Sequence, residues 1–188
     1  MKIQNFSDEQ LVEKARADVD FFAPLMDRYD RRLAAYIRRI SNFCPETVEE
    51  ILQDIFLKVW KNLNDFDGRV AFRSWIYRIA HNETISRFRW FRSRGHDTEV
   101  EFDETVSLPE KTDFVLDLDV KLSGKKIQQI LAQVPKKYRE ILVLKFYDDL
   151  SYTEISDILK KPMGTIATLV SRAKKSFREI AQRTNTQF

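Results

Sequence analysis

The chain has 188 residues, of which 43% are hydrophobic and 32% charged, and its net charge is +3. Four glycines and five prolines are few for a β-rich fold, and one cysteine excludes an internal disulfide or a multi-cysteine metal site. No apolar run approaches the roughly 18 residues of a membrane span and the N-terminus lacks a signal-peptide core, so we expect a cytoplasmic protein with no membrane insertion.

Helices are predicted for nearly every segment in the first half of the chain. Ser7 and Gln10 form a capping box that predicts a first helix start. Apolar residues at helical spacing over residues 22–40 predict a second helix, which the Cys44-Pro45 pair interrupts. Cys44 itself is expected to be a buried small side chain.

A third helix is predicted to open at a second capping box, Thr47 with Glu50, and to run to about Leu63. Four polar residues cluster near its start: Glu49, Glu50, Gln53 and Asp54. Carboxylates there suit the positive end of the helix dipole, and they equally suit a partner-binding surface. Composition alone leaves both interpretations open.

Residues 72–94, FRSWIYRIAHNETISRFRWFRSR, carry six arginines, six aromatic residues and a single acid, Glu83. Guanidinium groups hold phosphates and aromatic rings stack on unpaired bases, so this composition favours contact with nucleic acid. The alternative is an amphipathic core helix with a solvated basic edge. Trp75 fits either a stacking role or the helical core.

Charge alternates in blocks along the chain. Residues 69–95 contain seven arginines against Glu83, residues 97–119 contain nine acids against Lys111, and residues 160–188 contain seven basic residues against Glu179. This pattern suggests two surfaces that face nucleic acid, joined by an acidic linker that does not bind it.

The second half is predicted to hold helices from about Val120, with Pro135 at or near a helix start and a capping box at Ser151 and Glu154. A turn at Lys160 precedes a last amphipathic helix. This is the pattern of a helix-turn-helix, whose second helix enters the major groove. An ordinary two-helix corner has the same periodicity, but the basic polar face favours DNA.

The inward side of that last helix is predicted to consist of Ile166, Val170, Ala173 and Phe177. The outward side then contains Thr168, Ser171, Arg172 and Lys175. These outward residues are the candidates for groove and phosphate contacts.

Enzyme motifs are missing from the sequence. His81 and His96 have no cysteine partner at a zinc spacing, and there is no HExxH, P-loop or GxGxxG pattern. We therefore expect neither catalysis nor a metal or other cofactor. His81 is predicted to be solvated or to face phosphate.

Three segments in this order resemble the extracytoplasmic-function (ECF) group of bacterial RNA polymerase sigma factors. Residues 48–60, VEEILQDIFLKVW, resemble region 2.2, and residues 72–82, FRSWIYRIAHN, resemble region 2.3. The resemblance to region 4 extends over three runs: residues 134–146 (VPKKYREILVLKF), 150–159 (LSYTEISDIL) and 163–166 (MGTI).

The resemblance and the helical patterns together predict an all-α protein of two small helical domains joined by a flexible acidic linker. Residues 1–95 would form a region 2 domain that binds core polymerase and recognises and melts the −10 element. Residues 96–118 would form the linker, passing near the path of RNA in polymerase. Residues 119–188 would form a region 4 domain that reads the −35 duplex through its helix-turn-helix.

The resemblance also assigns residues to these roles. The polymerase-binding residues would be Glu49, Glu50, Gln53 and Asp54. The −10 contacts would come from Arg73, Arg78, Asn82, Arg87 and Arg89, with Asn82 and the loop after it taking up an unstacked base. The −35 contacts would come from Thr165, Thr168, Ser171, Arg172, Lys174 and Lys175.

Expected partners are core RNA polymerase, promoter DNA and an anti-sigma factor that sequesters both domains. Two departures from the resemblance bear on the second domain. Ala167, Thr168 and Leu169 replace a basic-Ser-Arg run, so −35 affinity is expected to be weaker or shifted toward the later basic residues. Lys160 replaces a glycine, and a lysine in a left-handed conformation costs on the order of 1 kcal/mol.

Two other classes of protein share some of these features with an initiation factor. One is a polymerase-independent helix-turn-helix regulator whose N-terminal domain is a sensor or dimerisation module; such a domain has no use for the strand-binding residues 72–94. The other is an enzyme acting on nucleic acid, against which the missing catalytic motifs argue.

Overall fold

The computed structural model describes residues 6–94 and 124–185, and all regular structure in these ranges is helical. The eight α-helices are α1 (Asp8–Ala17), α2 (Phe22–Ser41), α3 (Pro45–Lys61), α4 (Phe72–Ser93), α5 (Gly124–Gln133), α6 (Lys136–Leu142), α7 (Tyr152–Leu159) and α8 (Met163–Asn185). Short 3₁₀ helices lie at Val19–Phe21 and Leu63–Asp65. The all-α prediction is confirmed, while the predicted linker and His96 lie outside the described residues.

The described helices divide into two compact units. The first contains α1 to α4, whose apolar sides meet around residues such as Leu33, Ile55 and Ile76, each at most 1% exposed. The second contains α5, α6, α8 and most of α7, around residues such as Ile130 and Leu144. The four residues predicted to face inward on the last helix are all buried: Ile166, Val170, Ala173 and Phe177.

Two of the three predicted capping boxes are confirmed. At the start of α1 the Gln10 amide donates to Ser7 Oγ at 3.2 Å, and the Ser7 amide donates to Gln10 Oε1 at 2.9 Å. At the start of α7 the corresponding bonds join Ser151 and Glu154 at 3.2 and 2.8 Å. Each box satisfies amides that the first helical turn leaves without partners.

The predicted start of the third helix is wrong. The helix begins at Pro45 rather than at the Thr47 box, and Cys44 is its N-cap without a side-chain capping bond. Proline suits the first helical turn because its fixed φ is helical and its missing N–H has no partner to lose there. Cys44 is half-buried rather than buried, with its Sγ 3.3 Å from Thr47 Oγ1.

The turns of the second unit use unusual backbone conformations. Helix α6 ends in a π-helical turn, Val143–Tyr147, which the sequence patterns did not predict. Lys160 ends α7 in the left-handed region, with φ 54° and ψ 44°. Pro135 is the N-cap of α6, as its predicted position near a helix start requires.

Candidate nucleic-acid interface

Helix α4 carries the arginine-rich stretch, and its buried side fixes which residues face outward. Phe72, Ile76, Tyr77 and Ala80 are each fully buried, and Tyr77 packs edge-on against Tyr36 with ring centroids 5.4 Å apart. The first half of the helix is therefore anchored in the core of the first unit, and its opposite side, including Asn82, is exposed.

The loop predicted after Asn82 does not exist, because α4 continues unbroken to Ser93. No glycine or proline interrupts residues 72–94, and apolar residues continue at helical spacing. Phe88 and Phe91 extend the anchor by packing on Phe43, with centroid distances of 4.7 and 5.5 Å. Asn82 thus lies at the middle of a long helix, where its side chain has a fixed direction.

Two residues of α4 belong to packing rather than to the exposed surface. His81 is half-buried, and its Nδ1 shares a hydrogen bond of 3.0 Å with the Tyr36 hydroxyl, so the prediction that it is solvated or faces phosphate is wrong. Trp75 contacts the rings of Phe66 and Phe72, with centroids 5.4 and 5.6 Å away. Of the two possibilities left open for Trp75, the structure shows the packing role.

Arg87 bridges α4 to α3 through two carboxylates. Its Nη1 lies 2.8 Å from Glu50 Oε2 and its Nη2 lies 3.1 Å from Asp54 Oδ2. The arginine side chain is only 23% exposed, against 62% and 51% for its partners. A predicted −10 contact and two predicted polymerase contacts are therefore joined in one ion-pair network.

The remaining charges of α4 are distributed along its length. Arg73 and Arg78 lie in the first half of the helix and Arg89 is exposed in the second half. Glu83, the single acid of the stretch, pairs with Lys58 of α3. The second half of α4 consequently presents a surface with no unpaired acid among its own residues.

The four predicted polymerase-binding residues are all exposed and fall into two pairs one helical turn apart. Glu50 and Asp54 face α4 and hold Arg87. Glu49 and Gln53 line a groove of about 620 Å³ between α2 and α3. The cationic residues of this groove, Arg31 and Arg38, come from α2, so its surface is charged with both signs.

One of the six aromatic residues of residues 72–94 that the composition associates with base stacking is strongly exposed. Trp90 is 43% exposed, and the guanidinium of Arg94 lies 4.0 Å from the centroid of its ring. Trp90 also lines a groove of about 390 Å³ between α3 and α4. The i, i+4 spacing of tryptophan and arginine is the signal that could have identified this pair.

Helix α8 presents the predicted −35 residues along its outer side. Thr165, Thr168, Ser171, Arg172 and Lys175 are exposed. Lys174 is half-buried, with its Nζ 5.1 Å from the centroid of Phe146. The Thr168 hydroxyl donates to the Gly164 carbonyl at 2.9 Å, which fixes its direction on the helix.

The first unit carries a basic, ring-bearing helix, and the second half of the chain carries a helix, a turn at Lys160 and a basic helix; this arrangement is typical of DNA-binding proteins of transcription. The family described as Sigma-70 region 2 matches residues 25–94, and that described as Sigma-70, region 4 matches residues 124–177. No helix of the described ranges is long and apolar enough to cross a membrane.

Curated relatives match along almost the whole chain. The ECF RNA polymerase sigma factor SigW of Bacillus subtilis is 33% identical over 91% of this chain and 94% of its own length. The ECF RNA polymerase sigma-E factor of Escherichia coli is 26% identical over 92% of this chain and 93% of its own. The chain belongs to the ECF group of RNA polymerase sigma factors.

Solved structures show the same fold. The sigma factor RpoE of Bartonella quintana, in complex with the anti-sigma factor NepR, superposes with a TM-score of 0.66 at 23% identity, over 87% of this chain and 97% of that one. CnrH, in complex with the cytosolic domain of CnrY, gives a TM-score of 0.69 at 20% identity, over 94% and 97%.

Proposed function

We infer that the chain, as a member of this family, acts in transcription initiation with RNA polymerase, as a DNA-binding factor and not as an enzyme. We propose that it binds core polymerase through α3, captures a flipped −10 base beside α4 and reads −35 duplex DNA with α8. The observation that carries this proposal is the packing of the acid-bearing α3 against the arginine-bearing α4 in one unit. Polymerase docking and strand capture would then occur on adjoining surfaces.

The proposed domain roles follow the charge blocks of the sequence. Residues 1–95 act as the polymerase-binding and −10 domain, residues 96–118 as the acidic linker, and residues 119–188 as the −35 domain. The two Sigma-70 matches, over residues 25–94 and 124–177, fall inside the first and last of these ranges, which supports the assignment.

At the −10 element, the proposed roles are specificity for Asn82 and affinity for the arginines. An exposed carboxamide can donate to and accept from the edge of an unpaired base. Flipping a base out of the stack costs a few kcal/mol, which contacts in a pocket and stacking offset. Arg89, which is exposed two turns further along α4, is proposed to hold the backbone of the same strand.

At the −35 element, α8 is proposed to lie in the major groove. The short polar side chains Thr165, Thr168 and Ser171 suit base edges, and the longer Arg172 and Lys175 suit phosphates. All five are exposed on the same helix, and its buried side is held by the core of the second unit.

We further propose that an anti-sigma factor masks both domains until a signal arrives. Supporting this, RpoE of Bartonella quintana was solved with the anti-sigma factor NepR, and its fold resembles this one. The test is purification of the chain from unstimulated native cells. Recovery without an inhibitory partner contradicts the proposal.

Transcription in vitro with core RNA polymerase, over a library of random promoters, tests the main proposal and reads its specificity. We expect the chain to co-purify with core polymerase and to direct initiation from a subset of sequences that share two short elements. Failure to associate with polymerase, combined with operator binding by the chain alone, contradicts the proposal and indicates a polymerase-independent regulator.

A further inference from the structure

Met163 places an exposed sulfur at the first residue of α8. It is 54% exposed, whereas Met26, the other methionine that the structure describes, is 6% exposed in the core of the first unit. The next residue, Gly164, is open as well, because a Cβ added there would meet nothing within 4 Å. A small solute in water therefore reaches the thioether of Met163 but not that of Met26.

A hydrogen bond holds this sulfur beside the preceding helix. The hydroxyl of Thr153, in the first turn of α7, donates to Met163 Sδ at 3.5 Å. A thioether is a weak acceptor, so this bond adds little stability. It nevertheless joins the first turns of α7 and α8, which are the two helices on either side of the turn at Lys160. The Met163 sulfur therefore has a defined position at the junction of these two helices.

This junction borders the residues proposed to read the −35 duplex. In a helix-turn-helix, the N-terminal residues of the second helix contact base edges. Thr165 lies two residues after Met163. The Thr168 hydroxyl donates to the carbonyl of Gly164, the neighbour of Met163, at 2.9 Å. DNA that approaches this end of α8 presents phosphate oxygens and acceptor atoms of base edges, so an added acceptor oxygen on Met163 would oppose its binding.

We propose that Met163 is a site of reversible oxidation, at which hydrogen peroxide lowers binding to the −35 duplex. A lone pair of Sδ attacks one peroxide oxygen, the O–O bond breaks, and the proton of the transferred oxygen moves to the departing hydroxide to give water. The sulfur is oxidised by two electrons to the sulfoxide, and the peroxide is reduced. An apolar thioether thereby becomes a polar group with an acceptor oxygen. The proposal rests on the proposed role of α8 and adds a means of regulating it.

The first measurement locates the reaction with hydrogen peroxide. Peptide mass spectrometry follows sulfoxide formation at each methionine of the full-length chain, in a Cys44→Ser background that removes the competing thiol. We expect Met163 to be oxidised at least about 10-fold faster than Met26, because susceptibility to oxidation follows exposure. Equal rates at the two residues would overturn the inference.

The second measurement is promoter binding by gel shift, after the peroxide has been removed with catalase and untreated core polymerase has been added. The probe is a promoter recovered from the random library, and the control is the same promoter with its upstream element scrambled. Oxidation should weaken binding to the intact promoter about 3- to 10-fold, the effect of losing about one hydrogen bond, and to the scrambled promoter less than about 2-fold. Methionine sulfoxide reductases acting on both epimers should restore the affinity.

Two leucine variants separate this site from general oxidative damage, each compared with its own untreated sample. Met163→Leu, which keeps an apolar side chain of similar size, should lose the response to peroxide, and Met26→Leu should keep it. The inference is overturned if oxidised Met163 leaves binding unchanged, or if Met163→Leu responds as the parent chain does. If the untreated complex with polymerase binds the intact and scrambled promoters equally, the proposed −35 role of α8 is overturned together with the inference. A missing response to peroxide alone leaves that role in place.

Discussion

Asn82 is held at the middle of α4 by a helix whose opposite side is buried, so its carboxamide can approach a base without any loop movement. We predict that Asn82→Ala reduces promoter melting about 10-fold more than it reduces duplex binding, because one well-formed base contact is worth about 1–3 kcal/mol. Permanganate reactivity of the −10 region measures melting, and gel shift at low temperature measures duplex binding.

Ser86→Ala is the matched control for Asn82, because Ser86 is exposed one helical turn further along α4. It should leave melting close to the wild-type level. Equal losses of melting and duplex binding in Asn82→Ala would contradict the base-capture role, since a uniform loss indicates that the whole helix has shifted.

Lys160 carries backbone strain that its neighbour does not. A left-handed conformation costs a non-glycine residue about 1–2 kcal/mol, and glycine avoids this cost. Glycine also loses more conformational entropy on folding, which offsets part of the gain. We predict that Lys160→Gly raises the unfolding free energy by about 0.5–1 kcal/mol. Lys161→Gly, at a position without positive φ, should not raise the Tm measured by thermal denaturation. Equal effects of the two substitutions would contradict this.

At the scale of elements, the ion pairs between α3 and α4 occupy an arginine that could otherwise contact nucleic acid. Arg87 is held by Glu50 and Asp54, so any phosphate contact it makes competes with two carboxylates. We predict that Glu50→Gln raises the affinity of the chain for single-stranded DNA about 2- to 5-fold, since an exposed ion pair is worth up to about 1 kcal/mol.

Glu49→Gln is the matched control, because it removes the same charge from the adjacent exposed position, which lines the groove on the other side of α3. It should raise the affinity for single-stranded DNA less than Glu50→Gln does. In an Arg87→Ala background the two substitutions should become equivalent; a difference that persists without Arg87 would show that the carboxylates act only through long-range repulsion.

Helix α6 carries an acid in an unfavourable environment. Burial raises the pKa of Glu140, against the opposing attraction of Lys136, Arg139 and Lys161. The folded pKa therefore lies above the unfolded value, so burying the ionised form costs stability at neutral pH, and this cost disappears as the pH falls below the unfolded pKa. We predict that Glu140→Gln raises the Tm at pH 7 more than at pH 4. An equal rise at both pH values would contradict the assignment.

Local patterns predicted the helices well because periodicity and capping are properties of neighbouring residues. The buried side of α8 and the boxes at Ser7 and Ser151 follow from spacing alone. The errors have physical causes: Pro45 outcompetes Thr47 for the helix start, and the Phe88 and Phe91 contacts with Phe43 keep α4 helical past Asn82.

Contacts between helices could not be read from the sequence. The bond between His81 and Tyr36 and the position of Arg87 between two acids join residues 45 and 33–37 positions apart, and depend on how α2, α3 and α4 pack. Spacing within one helix identifies which residues share a side, but it does not identify the residue of another helix that they face.

At the scale of the whole molecule, the acidic block of residues 97–119 lies in the sequence between two basic blocks, residues 69–95 and 160–188. If both basic blocks contact DNA as proposed, the chain risks binding any duplex, because phosphate contacts carry no sequence information. We expect the nine acids that separate the two basic blocks of the sequence to lower that non-specific affinity, because carboxylates repel phosphates. Their effect is electrostatic, so it must fade as salt shortens the Debye length, which is about 8 Å at 0.15 M.

We therefore predict that replacing these acids with their amides raises affinity for random duplex DNA several-fold at low salt and lowers the preference for promoter over random DNA. The difference should vanish at about 1 M salt, where the Debye length is about 3 Å. A control variant with Thr105, Ser107 and Thr112 changed to asparagine alters the composition of the segment but not its charge, and should bind like the wild type. If random-duplex affinity does not rise at low salt, the acids do not screen DNA, and their role must lie in contacts made within the polymerase complex.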